Sequence, residues 1–103
     1  MFRCNEIYKI TANFPSQEKF SLVDQMRRSS VSVPSNIVEG YQKSSKEFSR
    51  YLGIAKGSLE ELKYYLYLSS DLKFITREQY NELLRDADEI GKMIYTLKTK
   101  LHF

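Results

Sequence analysis

Residues 45–73 have the sequence SKEFSRYLGIAKGSLEELKYYLYLSSDLK, in which apolar or small residues recur every three or four positions without interruption. This spacing places side chains on one face of an α-helix, so the segment is predicted to be a long helix with one buried side. Ser44 and Glu47 form a capping box at its start, where each would satisfy a backbone N–H of the first turn. The positions expected in the core are Phe48, Leu52, Ala55, Leu59, Leu62, Leu66 and Ser69.

Three further helices are predicted from the turn and capping signals around this segment. Thr76 and Gln79 form a second capping box, and the residues after it again show helical periodicity. Pro15 ends a first helix near residue 11 or 12, because the residue before a proline disfavours helical geometry. Short loops between long helices force antiparallel neighbours, so the predicted fold is all-α, a single-domain, up-down-up-down four-helix bundle. The helices are expected at about residues 1–12, 17–41, 45–73 and 77–101.

The predicted first helix is short for such a bundle, since residues 1–12 reach only about 18 Å at ~1.5 Å per residue. Part of the apolar surface of the bundle would then lie uncovered. Either another subunit covers this surface, or the natural chain starts earlier than Met1. The second helix also calls for partners, because its apolar residues occupy about half of its circumference and need neighbours on two sides.

The composition excludes several kinds of functional site. Cys4 is the only cysteine and His102 the only histidine, so an internal disulfide, a Cys₂His₂ zinc site and a di-iron site built from Glu-x-x-His pairs are excluded. The sequence has no Gly-rich phosphate loop, no signal peptide, and no apolar run near the ~18 residues that span a bilayer. We therefore predict a cytoplasmic, non-enzymatic protein without catalytic residues, metal or cofactor.

The second helix has a polar stripe that is either a solvated face or an inter-subunit or ligand surface. Burial of Asn36 and Glu39 would favour the second interpretation. Arg27 falls instead within the apolar arc, where an unpaired guanidinium is costly to desolvate. It is expected either to extend past its apolar neighbours to solvent or to form a bidentate pair with a carboxylate such as Glu61. The stripe consists of Gln25, Arg28, Ser32, Asn36, Glu39 and Lys43.

Several residues are expected to act through helix geometry. Pro34 lies inside the predicted second helix and removes one backbone hydrogen bond, so a kink is expected there. Gly40 is expected to weaken the same helix near its end. Gly57 and Ser58 are small enough to let a neighbouring helix approach closely. These features indicate packing and not catalysis.

Two tyrosines of the third helix, Tyr64 and Tyr67, are predicted to project away from the core, whereas Tyr65 and Leu66 point into it. Tyrosine is enriched at protein interfaces, and it also stacks on nucleobases. The pattern favours a protein interface over base stacking.

Charge is distributed unevenly along the predicted bundle, although the net charge is only +3. Antiparallel topology brings residues 39–50 and 92–103 to one end, here called the basic end, where six cations accompany the two acidic side chains Glu39 and Glu47. In one subunit the lysines partly complement the helix dipole, whereas in a ring the summed field could hold RNA or DNA by counterion release. The candidate nucleic-acid-binding residues are Lys43, Lys46, Arg50, Lys92, Lys98 and Lys100.

Three segments resemble a known family in both order and spacing. They are IYKIT and FP within residues 7–15, QMRRSSVSVPSNIVEGY at residues 25–41 and AKGSLEEL at residues 55–62. The chain is similar to four-helix-bundle proteins encoded in intervening sequences of bacterial 23S rRNA genes, a family once labelled ribosomal. That family is in turn similar to the accessory variability protein of diversity-generating retroelements.

The resemblance implies a bundle that assembles into a homopentamer, shaped as a funnel with a basic surface and lacking catalytic activity. For the retroelement relative it also implies binding to nucleic acid and to a reverse transcriptase. Family members usually have about three more turns of helix, at ~3.6 residues per turn, before the element at Ile7 and Tyr8.

The residues and the resemblance together predict an oligomeric scaffold that binds RNA or DNA through the basic end of a ring-shaped homopentamer. The alternative is a protein-interaction module that docks a partner, for example a reverse transcriptase, without binding nucleic acid. The residues assigned to an oligomer or partner interface are Arg27, Arg28, Asn36, Glu39, Tyr64 and Tyr67. Those assigned a structural role are Pro34, Gly40, Gly57, Ser58 and Glu61.

Overall fold

Four α-helices form the fold in this computed structural model, which describes residues 4–102 without the side chains of residues 18–20. No strand occurs among the described residues, and the predicted all-α bundle with a short first helix is confirmed. Residues 1–3 of the predicted first helix lie outside the described residues. None of the helices within residues 4–102 is long and apolar enough to cross a membrane. The helices are α1 (Cys4–Thr11), α2 (Asp24–Tyr41), α3 (Ser45–Asp71) and α4 (Arg77–Thr99).

The second helix begins differently from the prediction. The chain is helical from Ser16, but residues Ser16–Glu18 form a 3₁₀ turn and residues Lys19–Val23 a π-helical turn before α2 starts at Asp24. Val23 precedes α2 in helical geometry and makes no side-chain capping bond. The helix therefore continues from the preceding turn and has no separate N-terminal cap of its own.

The two predicted capping boxes form to different extents. At the start of α4, the Thr76 hydroxyl accepts from the Gln79 N–H at 3.0 Å and the Gln79 amide oxygen accepts from the Thr76 N–H at 2.8 Å. At the start of α3, the Ser44 hydroxyl accepts from the Glu47 N–H at 3.3 Å, but the Glu47 carboxylate contacts Arg50 instead of the cap. The box at Thr76 is complete, and the box at Ser44 is half formed.

The core consists of two apolar clusters along the length of the bundle. All seven positions predicted on α3 are buried, which confirms the periodicity. Of the described residues of α1, Ile7 lies in the first cluster and none lies in the second, so the basic-end half is built from three helices. The first cluster contains Ile7, Phe14, Leu22, Val23, Met26, Leu62, Leu66, Ile75 and Leu83. The second contains Val33, Phe48, Leu52, Ala55, Leu59, Ala87, Ile90 and Ile94.

Helices α2 and α3 pack most closely at Gly40 and at Ser58. A Cβ atom on Gly40 would lie 2.5 Å from the Cβ of Tyr51, so only glycine fits this crossing. The prediction that Gly40 weakens the helix missed this role, because α2 runs through Gly40 to Tyr41. Ser58 is buried, and its hydroxyl lies 2.8 Å from that of Ser32. The close approach predicted at Gly57 is wrong, since a Cβ there would meet nothing within 4 Å.

Arg27 joins α2 to α1, and the predicted pair with Glu61 is wrong. Its Nε donates to the Thr11 hydroxyl at 2.9 Å, and its Nη2 donates to the Tyr8 carbonyl at 3.2 Å. The guanidinium also lies over the Tyr8 ring, 4.6 Å from its centroid. Glu61 is exposed on α3. The acceptors of α1 therefore satisfy the guanidinium that the sequence places in an apolar arc.

Pro34 leaves the Ser30 carbonyl without its usual donor inside α2. The Cys4 thiol donates to this carbonyl, with a sulfur–oxygen distance of 3.1 Å. Burial raises the pKa of the Cys4 thiol, which favours the protonated form that can donate. The first residue of α1 thus replaces the hydrogen bond that proline removes from α2.

Candidate nucleic-acid interface

Two cations of the basic end are already neutralised on the surface of the bundle. Lys43 contacts Glu39 at 3.4 Å and Arg50 contacts Glu47 at 3.3 Å, each within one helix. Both cations also lie near the face of the Tyr51 ring, at 5.9 Å for Lys43 and 4.8 Å for Arg50. An incoming phosphate would have to compete with these carboxylates for either cation.

The other four candidate cations are exposed and form no ion pair with any residue that the structure describes. Lys46 lies in the first turn of α3, and Lys100 is the C-cap of α4. Lys98 reaches across to α3, with its Nζ 3.6 Å from the position of a Cβ on Gly53. Lys92 lies farther down the bundle, in a cavity lined also by Lys63 and Asp88. The six predicted residues therefore share one half of the bundle but do not converge on one point.

A shallow groove between α3 and α4 connects Lys92 with Lys98. Two adjoining cavities of about 600 Å³ each follow this groove and share Lys56 and Tyr95 in their linings. The upper cavity is lined by Gly53, Lys56, Ile94, Tyr95, Lys98 and Thr99, with no carboxylate among them. We call these residues, together with Gly91 and Lys92 of the lower cavity, the α3–α4 groove.

The carboxylates next to the groove are bound by lysines. Glu60 accepts from Lys56 at 2.7 Å, and Lys63 lies 3.5 Å from Glu60 and 3.0 Å from Asp88. The hydrogen bond from Lys56 is the main cause that lowers the pKa of Glu60, while the hydrogen bond to Asp88 raises the pKa of Lys63. These pairs leave Lys92 and Lys98 as the uncompensated charges of the groove.

The sequence analysis assigned no binding role to Tyr95, Lys56, Gly53 or Gly91. The signal that could have identified the site is the spacing of Lys92, Tyr95 and Lys98, because residues three apart share one face of a helix. The Tyr95 side chain is 70% exposed between the two lysines. The contribution of α3 depends on which faces the two helices turn to each other, and helical periodicity alone does not give that register.

The polar stripe of α2 is neither fully solvated nor buried as a unit. Glu39 is exposed, while Asn36 is half-buried and its amide donates to the Ser32 carbonyl at 2.8 Å and to the Ser32 hydroxyl at 3.0 Å. Arg28 pairs with Asp24 at 3.2 Å on the surface. The condition that would favour a ligand surface, burial of both Asn36 and Glu39, is not met.

A catalytic interpretation of the sequence would require one pocket around Arg27, Asn36, Glu39 and Glu61, and these residues do not line a common cavity in the described part of the chain. The cavity beside Arg27 is lined by residues of α1 and α2, including Tyr8, Arg28 and Ser35, but not by Asn36, Glu39 or Glu61. The polar groups of Arg27 are bound to α1.

The two tyrosines predicted to face outward on α3 do so. Tyr64 is 59% exposed and Tyr67 is 56% exposed, whereas Leu66 is buried and Tyr65 packs against the first core cluster. The Tyr64 ring also makes an edge contact with that of Tyr65, with centroids 5.8 Å apart.

These features define the class of the protein as a small all-α four-helix bundle whose candidate site is an open, lysine-lined surface. The family model of the 23S rRNA-intervening sequence protein matches residues 1–96, and the chain belongs to that family.

A similar solved structure is that of a protein of unknown function from the S23 ribosomal protein family of Bacteroides thetaiotaomicron VPI-5482. It is 34% identical in sequence, with a TM-score of 0.82 over 93% of this chain and 88% of that chain. No curated protein matches this chain. The family and the fold implied by the sequence resemblance are thus confirmed.

Proposed function

We propose that this protein is a non-enzymatic oligomeric scaffold that binds RNA or DNA through the basic end of a ring-shaped homopentamer. The main support is the set of exposed cations without ion pairs in the described residues, Lys46, Lys92, Lys98 and Lys100, all in one half of the bundle. Cations that are not held by carboxylates are free to replace the counterions of a phosphate backbone.

The uncovered apolar surface supports the oligomeric part of the proposal. In the basic-end half, where described residues of α1 do not reach the core, Val38, Met93 and Leu97 are exposed. Met93 and Leu97 lie one turn apart on α4 and line one surface cavity. Clustered apolar side chains on a surface mark interaction sites in many proteins. The pentamer itself is what the sequence resemblance implies. A closed ring would repeat the basic end around one axis and add the fields of its subunits.

Charge reversal tests the nucleic-acid part. We expect Lys46→Glu and Lys98→Glu to weaken binding to a labelled single-stranded oligonucleotide more than Lys43→Glu and Arg50→Glu, because the latter two cations are already paired. Fluorescence anisotropy at about 50 and 200 mM salt would measure this, and affinity should fall steeply between the two concentrations. Undetectable or salt-insensitive binding by the unmodified protein would refute the proposal.

Light scattering tests the assembly. A homopentamer has five times the 12.2 kDa mass of one chain. We expect Leu97→Ser or Met93→Ser to reduce the mass while preserving helicity in circular dichroism, because both side chains are exposed in one protomer. A stable monomer without these substitutions would exclude the ring.

The second candidate function, a protein-interaction module without nucleic-acid binding, is favoured by the exposed rings of Tyr64 and Tyr67. A reverse transcriptase is the partner that the retroelement resemblance implies. Tyr64→Ala combined with Tyr67→Ala should then abolish partner capture or oligomerisation and leave helicity intact. Unchanged oligonucleotide affinity in this double variant would separate the two functions.

A further inference from the structure

Tyr95 lies exposed on α4 where that helix borders the α3–α4 groove, between two lysines in sequence. Lys92 precedes it by three residues and Lys98 follows it by three, so the two lysines leave α4 about one helical turn before and after the ring and on the same side of the helix. Neither lysine forms an ion pair within the described part of the chain. A large ring held at the surface of a helix between two uncompensated cations presents a π-face and positive charge to the same ligand.

Glycines on both helices leave the floor of the α3–α4 groove open. The Nζ of Lys98 lies 3.6 Å from the Cβ position of Gly53 on α3, and the Nζ of Lys56 lies 3.7 Å from that of Gly91 on α4. Each lysine therefore crosses the groove toward a position without a side chain. Any longer residue at either glycine would occupy the space beside the ammonium group.

The charge of the groove identifies the kind of ligand. Lys56 is paired with Glu60, and Asp88 of the lower cavity is paired with Lys63. The charges left over are those of Lys92 and Lys98, so an anionic ligand is favoured. The exposed aromatic face adds a preference for a flat ring. Single-stranded nucleic acid combines phosphates with unstacked bases, and proteins bind it with basic grooves and aromatic stacking platforms. A duplex keeps its base faces inside and would contact the lysines only.

We infer that the α3–α4 groove is a binding site for single-stranded nucleic acid, in which Tyr95 stacks on a base while Lys92 and Lys98 contact the flanking phosphates. This inference rests on the proposed function and specifies the ligand and contact residues. Tyr95 contributes the part of the affinity that requires a nucleobase to stack on. The lysines contribute the electrostatic part, which weakens as the salt concentration rises.

The decisive experiment compares probes with and without bases. The probes are oligothymidylate and oligouridylate of about 12 nucleotides, an abasic oligonucleotide with the same number of phosphates, and a duplex of equal length. For the unmodified protein we expect the single strands with bases to bind most tightly. Tyr95→Ala should weaken their binding by about 5- to 150-fold, the loss that corresponds to stacking on one base. The same substitution should leave the affinity for the abasic probe unchanged.

Two further variants separate stacking from charge and from folding defects. Tyr95→Phe keeps the ring and should retain affinity to within about twofold of the unmodified protein. Lys98→Glu should weaken all probes, whereas Lys73→Glu, which makes the same charge change at an exposed position in the α3–α4 turn, should not. Circular dichroism is expected to show unchanged helicity for all of these variants.

A spectroscopic measurement reports stacking directly. The sequence has no tryptophan, so Tyr95→Trp introduces a single indole into the groove. Oligothymidylate should quench its fluorescence, and the abasic probe should not.

The outcomes distinguish this inference from the proposed function. Salt-sensitive binding that does not respond to Tyr95→Ala, or equal affinity for the abasic probe, would overturn the inference and leave the nucleic-acid scaffold standing. Absence of binding to every oligonucleotide would overturn both. If an acidic peptide of equal charge lost as much affinity as oligothymidylate in Tyr95→Ala, the groove would be a site for protein and the inference would be wrong.

Discussion

Gly40 and Gly57 are both helical glycines, but their surroundings predict opposite effects of alanine. At Gly40 a Cβ would lie 2.5 Å from the Cβ of Tyr51, which cannot move without its helix. Gly40→Ala is therefore expected to destabilise the protein by about 1–3 kcal/mol. At exposed Gly57 nothing lies within 4 Å, so Gly57→Ala should stabilise by about 0.5–1 kcal/mol through helix propensity. Urea denaturation measures both, and a stabilising Gly40→Ala would contradict the packing described.

The contacts of Arg27 predict which substitutions at its neighbours matter. Arg27→Lys removes the fork that reaches the Thr11 hydroxyl, the Tyr8 carbonyl and the Tyr8 ring, and should lower the free energy of unfolding by about 1–3 kcal/mol. Glu61→Gln should change it by no more than about 0.5 kcal/mol, because Glu61 is exposed and does not pair with Arg27. Equal losses from the two substitutions would instead support a pair between Arg27 and Glu61, which was one of the two alternatives predicted from the sequence.

At the scale of helices, the attachment of α1 to α2 predicts a pH dependence. Because burial raises the pKa of the Cys4 thiol in the folded protein, its contribution to stability is full below the ordinary cysteine value of about 8.5 and is lost as pH rises through the raised value. The unmodified protein should therefore lose stability relative to Cys4→Ala between about pH 7 and pH 10. Cys4→Ser, whose hydroxyl does not ionise in this range, provides the control and should show no such loss. Parallel pH profiles for all three proteins would rule out the thiol as the titrating group.

The unequal capping boxes of α3 and α4 give a second prediction at this scale. Thr76→Ala removes the 3.0 Å bond from the Gln79 N–H to the Thr76 hydroxyl, which supports the reciprocal bond from the Thr76 N–H to the Gln79 side chain, whereas Ser44→Ala removes one long bond of 3.3 Å that has no reciprocal partner. We expect losses of about 1–2 kcal/mol for Thr76→Ala and about 0.5–1 kcal/mol for Ser44→Ala. Chemical denaturation of the two variants side by side is sufficient, and a larger loss at Ser44 would contradict the difference between the caps.

Periodicity and caps were enough to predict the helices, but not how the helices face one another. The seven core positions of α3 follow from spacing alone, since one buried stripe needs no knowledge of its neighbours. The hydrogen-bond partners of Arg27 could not be predicted in this way. They lie on α1, which contacts α2 through residues that are distant in sequence. The close crossing at Gly40 and the open surface at Gly57 likewise depend on the relative rotation of two helices. Sequence pattern identifies a small residue but not what stands opposite it.

For the whole molecule, the same limit applies to the candidate site. The antiparallel topology correctly places the six basic residues in one half of the bundle, but formal charge does not reveal that Lys43 and Arg50 are paired with Glu39 and Glu47. It also does not reveal the groove that places Lys56 beside α4. A count of charges along the sequence identifies the basic half of the bundle. The structure is needed to show which of its cations are held in ion pairs and which are available to a ligand.

The number of available cations limits how salt-dependent the binding by one protomer can be. Single strands give a slope of log affinity against log salt of about −0.7 per phosphate contacted, so the four unpaired cations yield about −3, and adding Lys43 and Arg50 yields about −4. In the proposed ring, a strand of about 40 nucleotides should follow several basic ends and give a slope steeper than −4. A strand of about 12 nucleotides, which reaches the cations of only one protomer, should stay near −3. If the 12- and 40-nucleotide strands gave equal salt slopes, each protomer would bind alone. The additional phosphates of the longer strand would then contact no cations of neighbouring subunits.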